Sequence, residues 1–280
     1  MGIMEIIKFC KEEHNIRNGC HTLQLGTFDY YRTLDPEFSI ADAEEGFIKY
    51  ECKNDDALLI NSRQLNAITG GGVTLTDKDS PIPPPSLSSV ILKMDGSEFI
   101  IQADGTTKIK PGKVEAEVHY PNCYIFCCSI NENGKAPNPK TISDEYNSYY
   151  KISSTKLQDF TNTICRLIAQ NLLIGDLKLE GKRTLESHIS TLGYPPNVSF
   201  RHGPVEYVKD KTIHLSTPED FDENNWMKIF FQSMFKKDKK YQDDKEYRFV
   251  FLIEHPVHRF LPVVTRPKIL ELNPIYNLLE

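Results

Sequence analysis

The sequence predicts a protein of the α+β class, built on a mixed or antiparallel β-sheet with flanking helices. Strand-like segments, with alternating or continuous apolar residues, are spread over the whole chain. They do not alternate regularly with helical segments, as a doubly wound parallel sheet would require. The 280 residues suffice for a large hydrophobic core without support from disulfides or a metal. We therefore expect a single domain over residues 1–280.

The first half of the chain predicts short strands. Residues 22–26 alternate polar and apolar side chains, which is typical of a half-buried strand. Residues 29–34 begin a more irregular stretch. Residues 90–93 and 99–102 again predict strands. Residues 124–129 are nearly all apolar, which indicates a strand in the centre of a sheet.

The second half predicts two helices. Residues 155–174 carry apolar side chains at three- and four-residue spacing, as the buried face of a helix requires. Ser153, Ser154 or Thr155 can cap its start, and Gly175 can end it. A second helix is predicted around residues 226–235, after the pair Thr217 and Pro218.

The clearest strand follows residue 246. Its side chains alternate between two faces because successive residues of a strand point in opposite directions. One face carries Tyr247, Phe249, Phe251 and Ile253, and the other carries Glu246, Arg248, Val250 and Leu252.

Glycines and prolines mark a long insertion near residues 68–89. Three glycines at 70–72 and four prolines within 81–85 exclude a regular helix or a central strand there. The glycines lack the context of a phosphate-binding loop, so a flexible linker is the better interpretation.

Composition excludes several classes of protein. With 33 Lys and Arg against 39 Asp and Glu, the net charge of −6 argues against indiscriminate binding to nucleic acid or anionic membranes. Seven cysteines without a CxxC pair fit reduced, mostly buried thiols better than disulfides or a zinc site. Apolar stretches are too short to span a bilayer. We expect a cytoplasmic protein that does not associate with membranes.

Two charged residues at the start of the last strand are candidates for chemistry. Glu246 and Arg248 leave the same face, and Asp244 shares that direction if the strand begins early. A glutamate at a strand entrance can point into a cleft and stabilise a developing cation. An ordinary ion pair with Arg248 at the strand edge is the simpler interpretation of the spacing.

Two further charged clusters each allow two interpretations. Lys236, Lys237, Lys239 and Lys240, beside Tyr241, fit either a solvated helix end or a basic and aromatic edge for single-stranded nucleic acid. The acidic group of Asp42, Glu44 and Glu45 fits either a solvated loop or the metal ligands of a nuclease.

Several short motifs, in order, resemble a widespread bacterial family of uncharacterised proteins related to ADP-ribosyltransferase-like toxins of toxin–antitoxin and phage-defence systems. The similar segments are residues 23–32 with 40–46, Phe126-Cys127-Cys128-Ser129, Gly203-Pro204-Val205-Glu206-Tyr207, and the lysine-rich run that ends in Glu246-Tyr247-Arg248. They span most of the chain, from about residue 9 to residue 254. The order of the motifs carries the resemblance.

This resemblance implies an ADP-ribosyltransferase-like fold with a split β-sheet, and a mono-ADP-ribosyltransferase that cleaves the nicotinamide–ribose bond of NAD. NAD is then the substrate, and no metal is expected. Glu246 matches the catalytic carboxylate, which acts on an oxocarbenium-like ribose. Tyr30 or Tyr31 would stack on nicotinamide, and Arg32 would meet the pyrophosphate.

Other assignments are left open by the resemblance. His21 is an alternative for the first-strand histidine or arginine of the family, and Arg248 is a further candidate for NAD binding. The acceptor is a protein or a nucleic acid, and an antitoxin is a possible partner. Two other functions remain open, namely a non-catalytic nucleotide-sensing or binding module on the same fold, and a metal-dependent nuclease.

Overall fold

The computed structural model describes residues 5–34, 42–62, 64–65, 89–119, 121–131, 137–178, 197–221, 228–229, 231–255, 259–272 and 278–279. It confirms the α+β class, since β-sheets dominate the described chain and helices are few. The predicted insertion at residues 68–89 lies almost entirely outside the described residues.

The largest sheet has eight strands, and all of its pairings are antiparallel. The strands are β1 (Glu5–Cys10), β2 (Thr22–Thr27), β9 (Tyr124–Asn131), β10 (Ser148–Ile152), β11 (Asn197–Pro204), β15 (Glu246–His255), β16 (Arg259–Leu261) and β17 (Lys268–Glu271). Five of them run in the order β10-β1-β9-β15-β11, while β16 pairs with β15, and β2 joins β17 to β9.

Strand β9 is central, as its apolar sequence predicts, and one of its edges is split. Along that edge, β1 pairs with Ser129–Asn131 at one end. At the other end, β2 pairs with Tyr124 and Ile125. The two pairings leave residues 126–128 between them. In this interval the Nζ of Lys8 donates a hydrogen bond of 2.8 Å to the carbonyl of Cys127.

Nine further strands form smaller sheets, namely β3 (Phe47–Asn54), β4 (Leu58–Ile60), β5 (Ser89–Asp95), β6 (Phe99–Ile101), β7 (Thr107–Ile109), β8 (Gly112–His119), β12 (Glu206–Val208), β13 (Thr212–Leu215) and β14 (Lys236–Asp238). A second sheet of four strands has the order β13-β3-β8-β5, with β13 parallel to β3 and the other pairs antiparallel. A three-stranded sheet has the order β4-β7-β6, and β12 pairs in parallel with β14.

Two hydrophobic cores lie on opposite faces of the large sheet, and β15 contributes to both. Tyr247, Phe249 and Phe251 enter the first core, as the alternation predicts. Val250 and Leu252 enter the second core, together with residues of β3 and β8 from the four-stranded sheet. Because Glu246 and Arg248 share the face of Val250, they lie at the end of the second core.

Helix α2 (Leu157–Asn171) covers the first core. Its fully buried residues Phe160, Ile164 and Ile168 recur at the predicted spacing. A 3-10 helix at Ser154–Lys156 leads directly into it. Ser153 is the N-cap of this 3-10 helix and Lys156 is the N-cap of α2, and neither makes a side-chain capping hydrogen bond. A serine therefore stands at the start of the helical stretch, as predicted, but it does not cap α2 itself. Helix α2 ends at Asn171. Gly175, which was predicted to end it, lies instead in a separate 3-10 helix at Ile174–Asp176.

Three other local predictions need correction or restriction. The stretch after β2 is helix α1 (Phe28–Thr33), whose N-cap Thr27 accepts a hydrogen bond from the backbone of Tyr30. The lysine run forms β14 and a 3-10 helix (Lys239–Asp244) instead of a helix end. Within the predicted helix 226–235, residues 228–229 and 231–233 are helical, and residues 226, 227 and 230 lie outside the described part.

All seven cysteines are free thiols, and Cys10, Cys52, Cys123 and Cys128 are buried. This agrees with the prediction of reduced, mostly buried cysteines. In the part of the chain that the structure describes, every helix is too short or too polar to cross a bilayer.

Candidate functional site

A network of buried charged side chains lies at the start of β15. At its centre is Arg248, which has no exposed surface. Its Nε donates a hydrogen bond of 2.7 Å to Glu246, and its Nη1 donates one of 2.7 Å to Glu45. Nη1 also donates to the carbonyl of Met234 at 2.6 Å. Nη2 is buried and bonds to no described residue, so both of its N–H donors are unused.

Lys237 contacts the second carboxylate oxygen of Glu246. Its Nζ lies 3.2 Å from Oε2 of Glu246 and 3.2 Å from Oδ2 of Asp244. It also lies 4.5 Å from the ring centroid of Tyr241. Since Oε1 of Glu246 contacts Arg248, each oxygen of this carboxylate has a cationic partner. The predicted ion pair with Arg248 therefore exists, but it is buried inside the protein instead of lying at an exposed edge.

The backbone around Lys245 orients Glu246. Lys245 has a φ of 44°, in the left-handed region, and ends the 3-10 helix that follows β14. Its carbonyl accepts a hydrogen bond of 2.7 Å from the backbone of Ile130. The backbone N–H of Glu246 donates to the hydroxyl of Tyr207 at 2.7 Å. These contacts fix the backbone where β15 begins, and so fix the direction of its first side chain, Glu246.

The surroundings give the two glutamates of the network opposite pKa shifts. Burial disfavours ionised Glu246, but Arg248 and Lys237 outweigh it and lower the pKa to about 2. For Glu45, burial dominates and raises the pKa, with Arg248 opposing and Glu246 reinforcing the shift. The difference follows from the contacts because Glu246 has two adjacent cations and Glu45 has one. Glu246 is thus ionised across the physiological range of pH.

Glu246 lines a cavity of about 80 Å³, which we call the Glu246 cavity. Glu45, Asp244 and Lys237 share its wall, together with Cys127 and Tyr31. Three carboxylates therefore face one small space. Burial raises the pKa of the Cys127 thiol, and the charge of Glu246 adds to the shift, so this cysteine remains protonated.

A second cavity, of about 230 Å³, lies at the split of the large sheet, and we call it the split cavity. Its wall is mixed: aromatic side chains, among them Phe9, Tyr30, Tyr31 and Phe126, lie beside basic and polar ones such as Lys8. Lys8, Phe9, Tyr31 and Tyr146 line both cavities, which places the two spaces side by side. We refer to these two neighbouring cavities together as the cleft, with three carboxylates at the Glu246 cavity and aromatic side chains at the split cavity.

The ring of Tyr31 lies against Gly26 in this cleft. A β-carbon at Gly26 would come within 2.5 Å of a ring carbon of Tyr31 and 2.7 Å of its hydroxyl. The glycine therefore allows Tyr31 to lie across the end of β2. Burial raises the pKa of Tyr31 well above its usual value, so the phenol is neutral.

The structure brings three of the predicted site residues to the cleft. Glu246 and Tyr31 line the Glu246 cavity, and Tyr30 and Tyr31 line the split cavity. Arg248 lies behind the wall and contacts Glu246. Asp244 also lines the Glu246 cavity, but not through strand alternation, because β15 begins at Glu246 and Asp244 ends the preceding 3-10 helix.

Neither Arg32 nor His21 is among the described residues that line the two cavities. Arg32 forms an ion pair with Asp29 and donates a hydrogen bond to the carbonyl of Glu45. His21 is exposed just before β2, and its carbonyl accepts a hydrogen bond of 2.8 Å from Leu272. Their predicted contacts with NAD stay predictions.

The acidic group after α1 is not a solvated loop. Asp42 and Glu45 are 1% and 2% exposed. Oδ1 of Asp42 accepts a hydrogen bond from the backbone of Glu44, and Glu45 binds Arg248. Within the described ranges, no group of three or more His, Cys, Asp or Glu side chains is arranged to hold a metal ion.

Three residues of the cleft wall were not predicted as members of the site, namely Glu45, Lys237 and Lys8. Lys237 was one of four similar lysines, and only its burial at 5% exposure distinguishes it. Glu45 was part of a run of acids, although the following Gly46 was a signal. Gly46 has a φ of 67°, and a β-carbon there would lie 2.7 Å from the ring of Phe28. This glycine lets the turn that carries Glu45 pack against α1.

Comparison of the chain with family models, with curated proteins and with solved structures gave no match.

Proposed function

We propose that this protein is an NAD-consuming enzyme that cleaves the nicotinamide–ribose bond and transfers ADP-ribose to a macromolecule. The observation that carries the proposal is the buried carboxylate of Glu246, held ionised at the acidic end of a cleft whose other end is aromatic. The fold is proposed to be of the ADP-ribosyltransferase-like type. The split beside β9 supports this proposal, since the resemblance implies a split sheet.

Glu246 has the properties that this chemistry needs. Cleavage of the bond to nicotinamide gives the ribose an oxocarbenium-like transition state, which a fixed negative charge stabilises. With a pKa of about 2, the carboxylate is already ionised at neutral pH, so it does not have to lose a proton before the reaction. Arg248 and Lys237 hold it in one orientation, so little reorganisation is needed during the reaction.

The aromatic end of the cleft fits the rest of the dinucleotide. Tyr31 lines both cavities and is neutral, so its ring can stack on nicotinamide next to Glu246. Tyr30 and Phe126 in the split cavity offer surfaces for the adenosine half. Lys8 lines both cavities and is the cation at their junction, where a diphosphate would cross. Lys8 therefore fits this contact better than Arg32.

The biological role that we propose is that of a toxin or phage-defence effector in the cytoplasm. The acceptor is a protein or a nucleic acid, and an antitoxin would be the neutralising partner. These parts of the proposal rest on the motifs from residue 23 to residue 248. A nucleic acid acceptor would have to bind at a local basic surface, because the net charge of the whole protein is −6 and repels polyanions.

A labelling experiment tests the proposed function. Purified protein is incubated with cell extract and NAD that carries the label on the adenylate half, and label in protein and RNA is measured. We expect Glu246→Gln to reduce labelling by roughly 10²–10³-fold, the usual loss when a group that stabilises transition-state charge is removed. Glu98→Gln, which changes an exposed glutamate paired with Lys110, is the matched control.

Labelling by Glu246→Gln at the wild-type rate would remove Glu246 from catalysis. A thermal unfolding curve is measured for each variant, so that a variant that does not fold is distinguished from one that folds but has lost activity. If neither protein nor RNA is labelled and no nicotinamide is released, the proposed reaction is wrong.

One observation favours a second function, a nucleotide-binding module without catalysis. Both oxygens of Glu246 already contact cations, so the carboxylate is neutralised as a structural ion pair would be. For this function, nucleotide binds tightly to wild type and to Glu246→Gln without turnover. Binding titrations beside the labelling assay distinguish the two functions.

A further inference from the structure

We propose that the split cavity binds a phosphate on the adenosine ribose of the dinucleotide, so that this protein prefers NADP to NAD. This inference rests on the proposed function, because that function sets the direction in which the dinucleotide lies along the cleft. Lys11 is the residue that selects the substrate. The bond that breaks is the same in both dinucleotides, since the additional phosphate is on the ribose that does not react.

The charges on the walls of the two cavities differ in sign. The Glu246 cavity has three carboxylates on its wall. Among the described residues that line the split cavity, none is an aspartate or a glutamate, and the basic side chains are Lys8, Lys11 and His14. In dinucleotide sites of the Rossmann type, a carboxylate meets the 2′-hydroxyl of NAD and a cation accommodates the 2′-phosphate of NADP. The electrostatic reason does not depend on the fold, so the basic lining favours NADP.

The order of the two lysines along the cleft matches the order of the groups in the dinucleotide. Lys8 lines both cavities, and Lys11 lines the split cavity. Three residues of extended chain separate them, which is roughly 10 Å. With nicotinamide beside Glu246 and the diphosphate at Lys8, the next group along the cleft is the adenosine ribose. Lys11 therefore lies on the side of Lys8 where the 2′-phosphate is expected.

A short turn places Lys11 and His14 at the same end of the split cavity. A 3-10 helix at Glu12–His14 follows Lys11, and the backbone N–H of His14 donates a hydrogen bond of 2.9 Å to the carbonyl of Lys11. Side chains three residues apart lie one above the other in such a helix. The backbone N–H of Glu12 donates to Oδ1 of Asn147 at 2.7 Å, which holds the turn against the segment before β10.

Neutral donors on β2 add to the basic side chains. Thr22 and Gln24 are exposed, alternate with buried residues of the strand and line the split cavity. A phosphate has three strong acceptor oxygens, so a hydroxyl and an amide can donate to it beside the ammonium group of Lys11. This set of donors suits a phosphate better than it suits the single 2′-hydroxyl of NAD.

Glu145 competes with the phosphate for Lys11. Its Oε2 lies 2.8 Å from Nζ of Lys11, and the two side chains are 64% and 38% exposed. An exposed ion pair of this kind contributes little, so a phosphate with two charges can replace the carboxylate. Glu12 accepts a hydrogen bond from Asn18 and is not among the described residues that line the split cavity. The acid to remove in a test is therefore Glu145.

The experiment measures binding to the purified full-length protein by isothermal titration. The ligands are NADP, NAD, adenosine 2′,5′-bisphosphate and adenosine 3′,5′-bisphosphate. We expect NADP to bind roughly tenfold more tightly than NAD, the usual effect of a hydrogen bond to a charged group. The 2′,5′-bisphosphate is expected to bind more tightly than its 3′,5′ isomer. The preference for NADP is expected to fall as salt is added, because Lys11 is partly exposed.

Variants test the residue that selects the phosphate. Lys11→Met is expected to lower the ratio of NADP affinity to NAD affinity by roughly tenfold, and Lys11→Arg is expected to retain the ratio because the charge is kept. Glu145→Gln is expected to raise the ratio, since it removes the competing charge. Lys110→Met is the matched control, because Lys110 forms an exposed pair with Glu98 and lines neither cavity. Loss of a merely structural lysine would weaken both dinucleotides equally and leave the ratio unchanged.

Three results overturn the proposal: equal affinity for NAD and NADP, a wild-type ratio in Lys11→Met, or equal binding of the two bisphosphates. If Lys11→Met does not fold, Glu145→Gln decides, and an unchanged ratio in that variant overturns the proposal.

Nicotinamide release separates this proposal from the proposed function. If nicotinamide is released from NAD and NADP is not preferred, the phosphate site is wrong and the proposed function stands. If NADP is preferred through Lys11 but no nicotinamide is released, the phosphate site is supported and the proposed cleavage is wrong. If neither dinucleotide binds, both proposals fail.

Discussion

At the scale of single residues, Arg248 decides how the buried charges of this protein are arranged. It is fully buried, yet it contacts Glu246 and Glu45 and the carbonyl of Met234. A buried charge is tolerated only when it is paired and hydrogen-bonded. The guanidinium supplies donors in a planar fork, so Arg248 holds Glu246 and Glu45 through two different nitrogen atoms, whereas Lys237 contacts its two carboxylates through a single ammonium group.

We expect Arg248→Met to lower the free energy of unfolding by about 3–5 kcal/mol, because it leaves Glu246 and Glu45 buried without this partner. Chemical denaturation of the variant and the wild type measures the change. Arg266→Gln is the control. Arg266 forms an ion pair with Asp176 but is 66% exposed, so a loss of about 0–1 kcal/mol is expected. Equal losses in the two variants would contradict the role of Arg248.

At the scale of elements, β2 and α1 together form one wall of the cleft. Thr27 ends β2 and caps α1, so the chain turns from strand to helix without a loop. This tight turn brings Tyr30 and Tyr31 to the split beside β9. The space for Tyr31 depends on Gly26, the last residue but one of the strand.

We expect Gly26→Ala to displace the ring of Tyr31 and to weaken the binding of NAD or ADP-ribose by about tenfold. The three atoms nearest to the β-carbon all belong to the end of the tyrosine side chain, which can move, so stability is expected to change by about 1 kcal/mol or less. Isothermal titration and thermal unfolding measure the two effects. Gly175→Ala, at a position where a β-carbon meets no atom within 4 Å, is the control. If Gly26→Ala binds NAD or ADP-ribose with wild-type affinity, Tyr31 is not part of the ligand site.

At the scale of the whole molecule, the large sheet separates two cores and places the charged network where one of them ends. Helix α2 covers one face, and the four-stranded sheet contributes to the core on the other. Glu246 and Arg248 belong to the second face of β15, beyond Val250. The network is therefore coupled to the folding of the entire chain, and its protonation should appear in global stability.

We expect stability to depend on pH through Glu246 between pH 4.5 and about pH 2. The folded pKa of about 2 lies below the ordinary value of 4.5, so the unfolded state binds more protons in this window. Stability from this group is complete above pH 4.5 and is lost as pH falls through about 2. The loss is on the order of 3 kcal/mol.

Denaturation curves between pH 2 and pH 7 test this dependence. Glu246→Gln is expected to be less stable than wild type at pH 7, and the difference is expected to shrink as pH falls below 4.5. Glu98→Gln serves as the control, with a pH profile parallel to that of the wild type. A difference that is constant from pH 7 to pH 2 would contradict the low pKa.

Much of the fold follows from local patterns. The alternation in residues 247–253 and the apolar run in 124–129 predict β15 and β9, because each records burial on one or both faces of a strand. The spacing of Phe160, Ile164 and Ile168 predicts α2 for the same reason. Helix α1 was missed because its six residues make fewer than two full turns and show little periodicity.

The candidate site was predicted only in part. Glu246 and Arg248 are two residues apart on a strand, so the sequence alone places them on one face. Glu45 lies 203 residues from Arg248 along the chain, and no local pattern indicates that contact. Lys237 was predicted as one of several exposed lysines because its burial depends on β14 and on the 3-10 helix that returns the chain to Glu246.

The sequence by itself determined the class of the fold and the strand that carries Glu246 and Arg248, because these depend on interactions between near neighbours. Only the tertiary structure decided that Glu45 and Lys237 join Glu246, that Arg32 pairs with Asp29, and that a cleft opens at the split beside β9. These arrangements depend on which distant segments share a face of the sheet. Burial then sets the charge that each group carries.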